Sequence, residues 1–105
     1  MSIAYWSEPA VSADNAEVTA THAAESNTGH FVTHLSASCN VTAVNVVLEL
    51  REGSTVRLRL RMMCERLVMD FAHPIAIARG AAVNAVLAAA GVGVLGQVNV
   101  AGYSR

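Results

Sequence analysis

Apolar and polar residues alternate with a period of two through most of this chain, and turn-forming residues interrupt the alternation at regular intervals. That period places successive side chains on opposite faces of an extended strand. "HFVTHLSASC" (30–39) predicts a half-buried strand, with Phe31, Leu35, Ala37 and Cys39 on the apolar side and His30, His34, Ser36 and Ser38 on the other. "RLVMDF" (66–71) alternates through Leu67, Met69 and Phe71, and "HP" at 73 and 74 is expected to end it, since proline cannot donate to a ladder. "EVTATHAA" (17–24) alternates weakly and is followed by the polar turn "ESNTG", while "QVNVAGY" (97–103) closes the chain. "AAVNAVLAAA" (81–90) fits a strand and a short helix alike, because Val83, Val86, Leu87 and Ala90 also follow helical spacing.

The strongest local signal is the pair "AVNVVLELR" (43–51) and "TVRLRLRMM" (55–63) on either side of "EGS". A three-residue loop centred on Gly53 sets Leu50 opposite Val56, Leu48 opposite Leu58 and Val46 opposite Leu60, all on one apolar face with Met62. The other face is a row of arginines. In this register Arg57 meets Glu49, whereas Arg59 and Arg61 face Val47 and Asn45, which cannot neutralise them. Arg59 and Arg61 are therefore candidate contacts for a neighbouring subunit, where planar guanidinium groups can hold carboxylates in two contacts.

Short strands at intervals of about 8–12 residues with glycines between them predict an all-β protein: a single small antiparallel β-sandwich, jelly-roll-like, of about seven or eight strands. Residues 16–105 form this domain. Residues 1–15 lack a sustained period and read as an extended N-terminal arm, yet they carry Tyr5 and Trp6, two of five aromatics, so the arm is expected to dock on a partner through them.

At 105 residues and 53% hydrophobic the chain supports one core. A net charge of −1 argues against duplex nucleic acid as a partner. The charge is nonetheless split: residues 1–50 carry five acids and no Arg or Lys, and residues 51–105 carry seven Arg and three acids, giving halves of −5 and +4. Such a split predicts neutralisation between strands or between subunits. "GAAVNAVLAAAGVGVLG" (80–96) has no charge but is shorter than the roughly 20 apolar residues a membrane helix needs, and its glycines read as turns, so no membrane partner is expected.

Chemistry is sparse. His30 and His34, four apart, would share a metal on a helix, but on a strand they stand roughly 13 Å apart. Cys39 and Cys64 lack a CxxC spacing and read as free thiols of a protein made in the cytosol. His73 before Pro74 reads as a turn feature, and no serine sits in a nucleophile signature such as GxSxG. No catalytic residue, cofactor or metal is expected.

The order "FxHPI…GxAV…L…G…G…V…GY", carried here by Phe71, His73, Pro74, Ile75, Gly80, Ala82, Val83, Leu87, Gly93, Gly96, Val98, Gly102 and Tyr103, resembles small β-sandwich virion proteins of tailed bacteriophages. The likeness covers about residues 30–105 and is nearest to capsid decoration or cement proteins. It implies a non-enzymatic, trimeric structural protein on the capsid surface of the virion, made in the host cytoplasm and bound to the major capsid protein. The arginine-rich strand and the N-terminal segment depart from that family's usual sequence. Two other readings stay open: a tail, neck or fibre component, and a ligand- or carbohydrate-binding β-sandwich module.

Overall fold

A computed structural model of the chain describes residues 3–40, 45–62 and 66–105, and they form eight strands and no helix. The strands are β1 (Ala4–Val11), β2 (Val18–His22), β3 (His30–Cys39), β4 (Val46–Glu52), β5 (Thr55–Met62), β6 (Arg66–Ile77), β7 (Val83–Leu87) and β8 (Gly96–Ser104). They make two antiparallel four-stranded sheets, in the orders β1-β8-β3-β6 and β2-β7-β4-β5. The pairs are nested: β4 with β5, β3 with β6, β2 with β7 and β1 with β8. This is the strand order of a jelly roll, in which one long hairpin is folded over into two packed sheets.

The core lies between the sheets. Val32, Leu35, Val98 and Val100 from the first sheet pack against Leu48, Leu50, Val83 and Leu87 from the second, all fully buried. Each such side chain contributes roughly 1.5–3 kcal/mol of burial relative to an exposed position. Within the segment 81–90, Val83–Leu87 is a strand and no helix forms, since Val83, Ala85 and Leu87 alternate into this core.

Two bulges correct the faces expected from strict alternation. Thr33 is an extra residue in β3, because Val32 pairs with Gly102 and His34 with Ala101. The bulge shifts the inward phase from His30 and Val32 to Leu35 and Ala37, so His30 is buried and Phe31, expected in the core, turns outward. In the second sheet the loop is the two residues Gly53 and Ser54 rather than three. Gly53 takes a φ of 59°, as the primed turns of tight hairpins require. Arg57 is then bulged out of β5, which restores apolar matching in a different register: Leu50 with Leu58, Leu48 with Leu60 and Val46 with Met62. Glu49 therefore meets Arg59, not Arg57. Val56, expected in the core, lies on the exposed side.

Three further expectations are revised. Pro74 does not end its strand, because it lies in an irregular stretch of the edge strand β6, between Asp70 and Ile75, where the ladder to β3 is interrupted and needs no N–H from it. The N-terminal arm is in its residues 4–11 the edge strand β1, paired with β8 along its whole length. Cys39, expected as a free thiol, is disulfide-bonded. Cys64, expected likewise, lies outside the described residues.

Candidate functional site

The outer face of the first sheet carries an aromatic strip. Tyr5, Tyr103 and Phe31 are direct cross-strand neighbours on β1, β8 and β3. Their ring centroids are 6.1 Å (Tyr5–Tyr103) and 5.0 Å (Tyr103–Phe31) apart, and the Arg105 guanidinium lies 5.1 Å from the Phe31 ring. Tyr5 is 81% exposed. Further along the same face the surface turns polar: Ser7 donates to Asn99 at 3.0 Å, and His34 Nδ1 donates to Asp70 at 2.7 Å. A shallow groove of about 440 Å³ follows, lined by His34, Ser36, Ser38, Arg66, Gln97 and Asn99 among others. The strip was not legible because Phe31 joins it only through the Thr33 bulge.

Trp6, paired with Tyr5 in sequence as a partner contact, points the other way. Its indole stacks on His22 at 4.1 Å and 6°, and its Nε1 donates to Ser104 Oγ at 2.9 Å. Ser104 in turn lies 2.6 Å from His30 Nδ1, and His30 Nε2 lies 3.0 Å from the Ala23 carbonyl. The donor and acceptor roles follow from this chain of contacts. A carbonyl only accepts, so His30 Nε2 donates to Ala23; in the neutral ring Nδ1 then accepts from Ser104, and Ser104 accepts from Trp6. Beside it, His22 Nδ1 donates to Glu8 Oε2 at 2.8 Å, and His22 Nε2, 3.6 Å from Glu25 Oε1, is buried without a hydrogen-bond partner. Donor atoms of His22, Glu25 and His30 all lie within 4.8 Å of one another. His34 takes no part in this cluster: it lies on the same strand as His30, as the strand reading required, and bonds Asp70 instead.

The arginine row is less uniform than its alternation suggested. Glu49, largely buried, receives Arg51 at 2.8 and 2.5 Å on one oxygen and Arg59 Nε at 2.6 Å on the other. Arg57 donates to Glu52 at 2.8 Å and to the Ala76 carbonyl at 3.0 Å, while Glu52 also accepts the Ala78 amide, tying the second sheet to β6. Arg59 is thus neutralised within the chain. Arg61, exposed and opposite Val47, makes no ion pair among the described residues.

Hydrogen bonds from Arg51 and Arg59 hold the Glu49 carboxyl below its ordinary value of 4.5, and this outweighs the opposing effect of burial. The unfolded chain therefore takes up a proton here at a higher pH than the folded one. Glu49 contributes stability that is complete above its ordinary value and lost as pH falls through the lowered folded value. Urea unfolding of the wild type and Glu49→Gln at neutral and acid pH is expected to show a gap that narrows on acidification. A gap that stays constant would show that the pairs contribute nothing to the pH dependence.

Compared with models of protein families, with curated proteins and with solved structures, the chain matches none. No helix of the described residues is long and apolar enough to cross a membrane.

Proposed function

We propose that this protein is a non-enzymatic structural component of a tailed-phage virion, a capsid decoration protein that binds the major capsid protein as a homotrimer. The nested strand order β1-β8-β3-β6 and β2-β7-β4-β5 carries this reading. Jelly rolls of this kind recur in viral shells, although they also serve as lectin domains, so the support is architectural and is joined by the sequence resemblance. The disulfide at Cys39 fits a particle that persists outside a reducing cytosol.

Two surfaces suit contact with neighbouring subunits. One is the aromatic strip of Tyr5, Tyr103 and Phe31, since exposed aromatic patches are common anchors of interfaces. The other is Arg61 on the sheet edge β5, a charge that its own chain leaves unpaired among the described residues.

Purified particles are expected to contain the chain in numbers comparable to the capsid subunit, and Arg61→Glu is expected to lower its occupancy while the free protein stays folded. Arg59→Glu would be uninformative, because its new carboxylate would face Glu49 and disturb the fold itself. Absence from particles would sink the proposal, and a few copies confined to the tail would make the chain a tail, neck or fibre component. Glycan binding by the free protein, lost in Tyr5→Ala, would favour a sugar-binding module on the same face.

A further inference from the structure

The environment of His22 contains an electrostatic mismatch. Its Nδ1 donates to Glu8, so in the neutral ring Nε2 bears a lone pair, and that buried lone pair points toward the Glu25 carboxylate 3.6 Å away. Two acceptors facing each other at this distance repel, and a cation bound between them relieves the mismatch. The Nδ1–H to carboxylate contact is also what orients a metal-ligating histidine, because it fixes the tautomer and makes the opposite nitrogen more basic.

We propose that His22 Nε2, Glu25 and His30 Nε2 bind a divalent transition ion of the zinc class, with water as the fourth ligand. Two imidazoles and a carboxylate suit zinc in tetrahedral geometry, where ligand atoms stand about 3.3 Å apart. The three groups already lie within 4.8 Å of one another, and Glu25, on an exposed turn, has room to close the remaining distance. His30 enters the site by moving its proton from Nε2 to Nδ1. Ser104 Oγ, 2.6 Å from Nδ1, then accepts instead of donating, and the Ala23 carbonyl, on an exposed residue, exchanges His30 for water. The ion would clamp the end of β2 and the turn after it, in one sheet, to the start of β3 in the other. This inference is independent of the virion reading, since a structural ion would serve any of the three functions considered.

The chain supplies its own reporter. Trp6 is its single tryptophan and stacks directly on His22. The untagged full-length protein, stripped with EDTA, is titrated with zinc chloride while tryptophan emission is followed, and the bound metal is counted after gel filtration. The expected result is a saturable change in emission at one ion per chain, with a higher melting temperature. Glu25→Gln, at an exposed position that leaves folding intact, is expected to weaken binding at least about 10-fold, and Glu8→Gln about 10- to 100-fold through loss of the orienting carboxylate. A folded wild-type protein that retains no zinc overturns the assignment. Binding that is equally tight in Glu25→Gln overturns it too, because the ion would then lie elsewhere.

Discussion

Gly102→Ala is expected to destabilise the fold by about 3–5 kcal/mol, a large share of the stability of a domain of this size. A Cβ built at Gly102 lies 2.0 Å from the Phe31 carbonyl oxygen, 3.0 Å from its carbon and 3.1 Å from Trp6 Cζ2. The first two are backbone atoms of β3, which is hydrogen-bonded to strands on both sides and cannot swing away as a flexible side chain would. Overpacking of a well-packed site alone costs about 1–3 kcal/mol, and here the sheet itself must open. Gly53 offers the contrast within the same molecule. An alanine there meets nothing within 4 Å and carries only the left-handed backbone, at about 1–2 kcal/mol. Urea denaturation of both variants reads the difference directly, and a loss below about 1 kcal/mol at Gly102 would show that β3 and β8 separate without resistance.

A small antiparallel sandwich of about seven or eight strands was legible because alternation decides which side chains can share a core, and turn residues punctuated it. Bulges were not legible. Thr33 and Arg57 each insert one residue into a ladder, and each reverses the facing of what lies beyond it without altering local composition. In β3 a signal was present: Val32 and Leu35 are separated by an odd number of positions, so both can face the core only if one residue between them is bulged. In β4 and β5 the expected register and the bulged one both match apolar residues to apolar residues, and the pairing of charges differs instead. Glu49 selects Arg59, which removes Arg59 from the residues available to a partner and leaves Arg61. The His22, Glu25 and His30 cluster was out of reach for another reason. Its members come from a strand end, a turn and the start of the next strand, and only the buried phase of His30 brings them together.

His30→Leu is expected to cost about 2–4 kcal/mol in the metal-free protein, through polar groups left without partners rather than through lost volume. Leucine fills comparable space, but it neither accepts from Ser104 nor donates to the Ala23 carbonyl. An orphaned buried polar group costs about 1–3 kcal/mol. Ser104 is 5% exposed and has little access to replacement water, whereas the Ala23 carbonyl belongs to an exposed residue and recovers part of its loss from solvent. The contribution of the chain of contacts can be separated from simple packing by a second substitution. Ser104→Ala alone strands the Trp6 Nε1 donor and the His30 Nδ1 acceptor, but in a chain already lacking His30 it strands only the indole. The double variant is therefore expected to be more stable than the sum of the two single losses predicts, by about 0.5–3 kcal/mol in a double-mutant cycle run in EDTA. Strict additivity would mean that Trp6, Ser104 and His30 act separately. Coupling of the expected sign would identify them as one element, running from β1 through β8 and β3 to the turn after β2 and joining the edges of the two sheets.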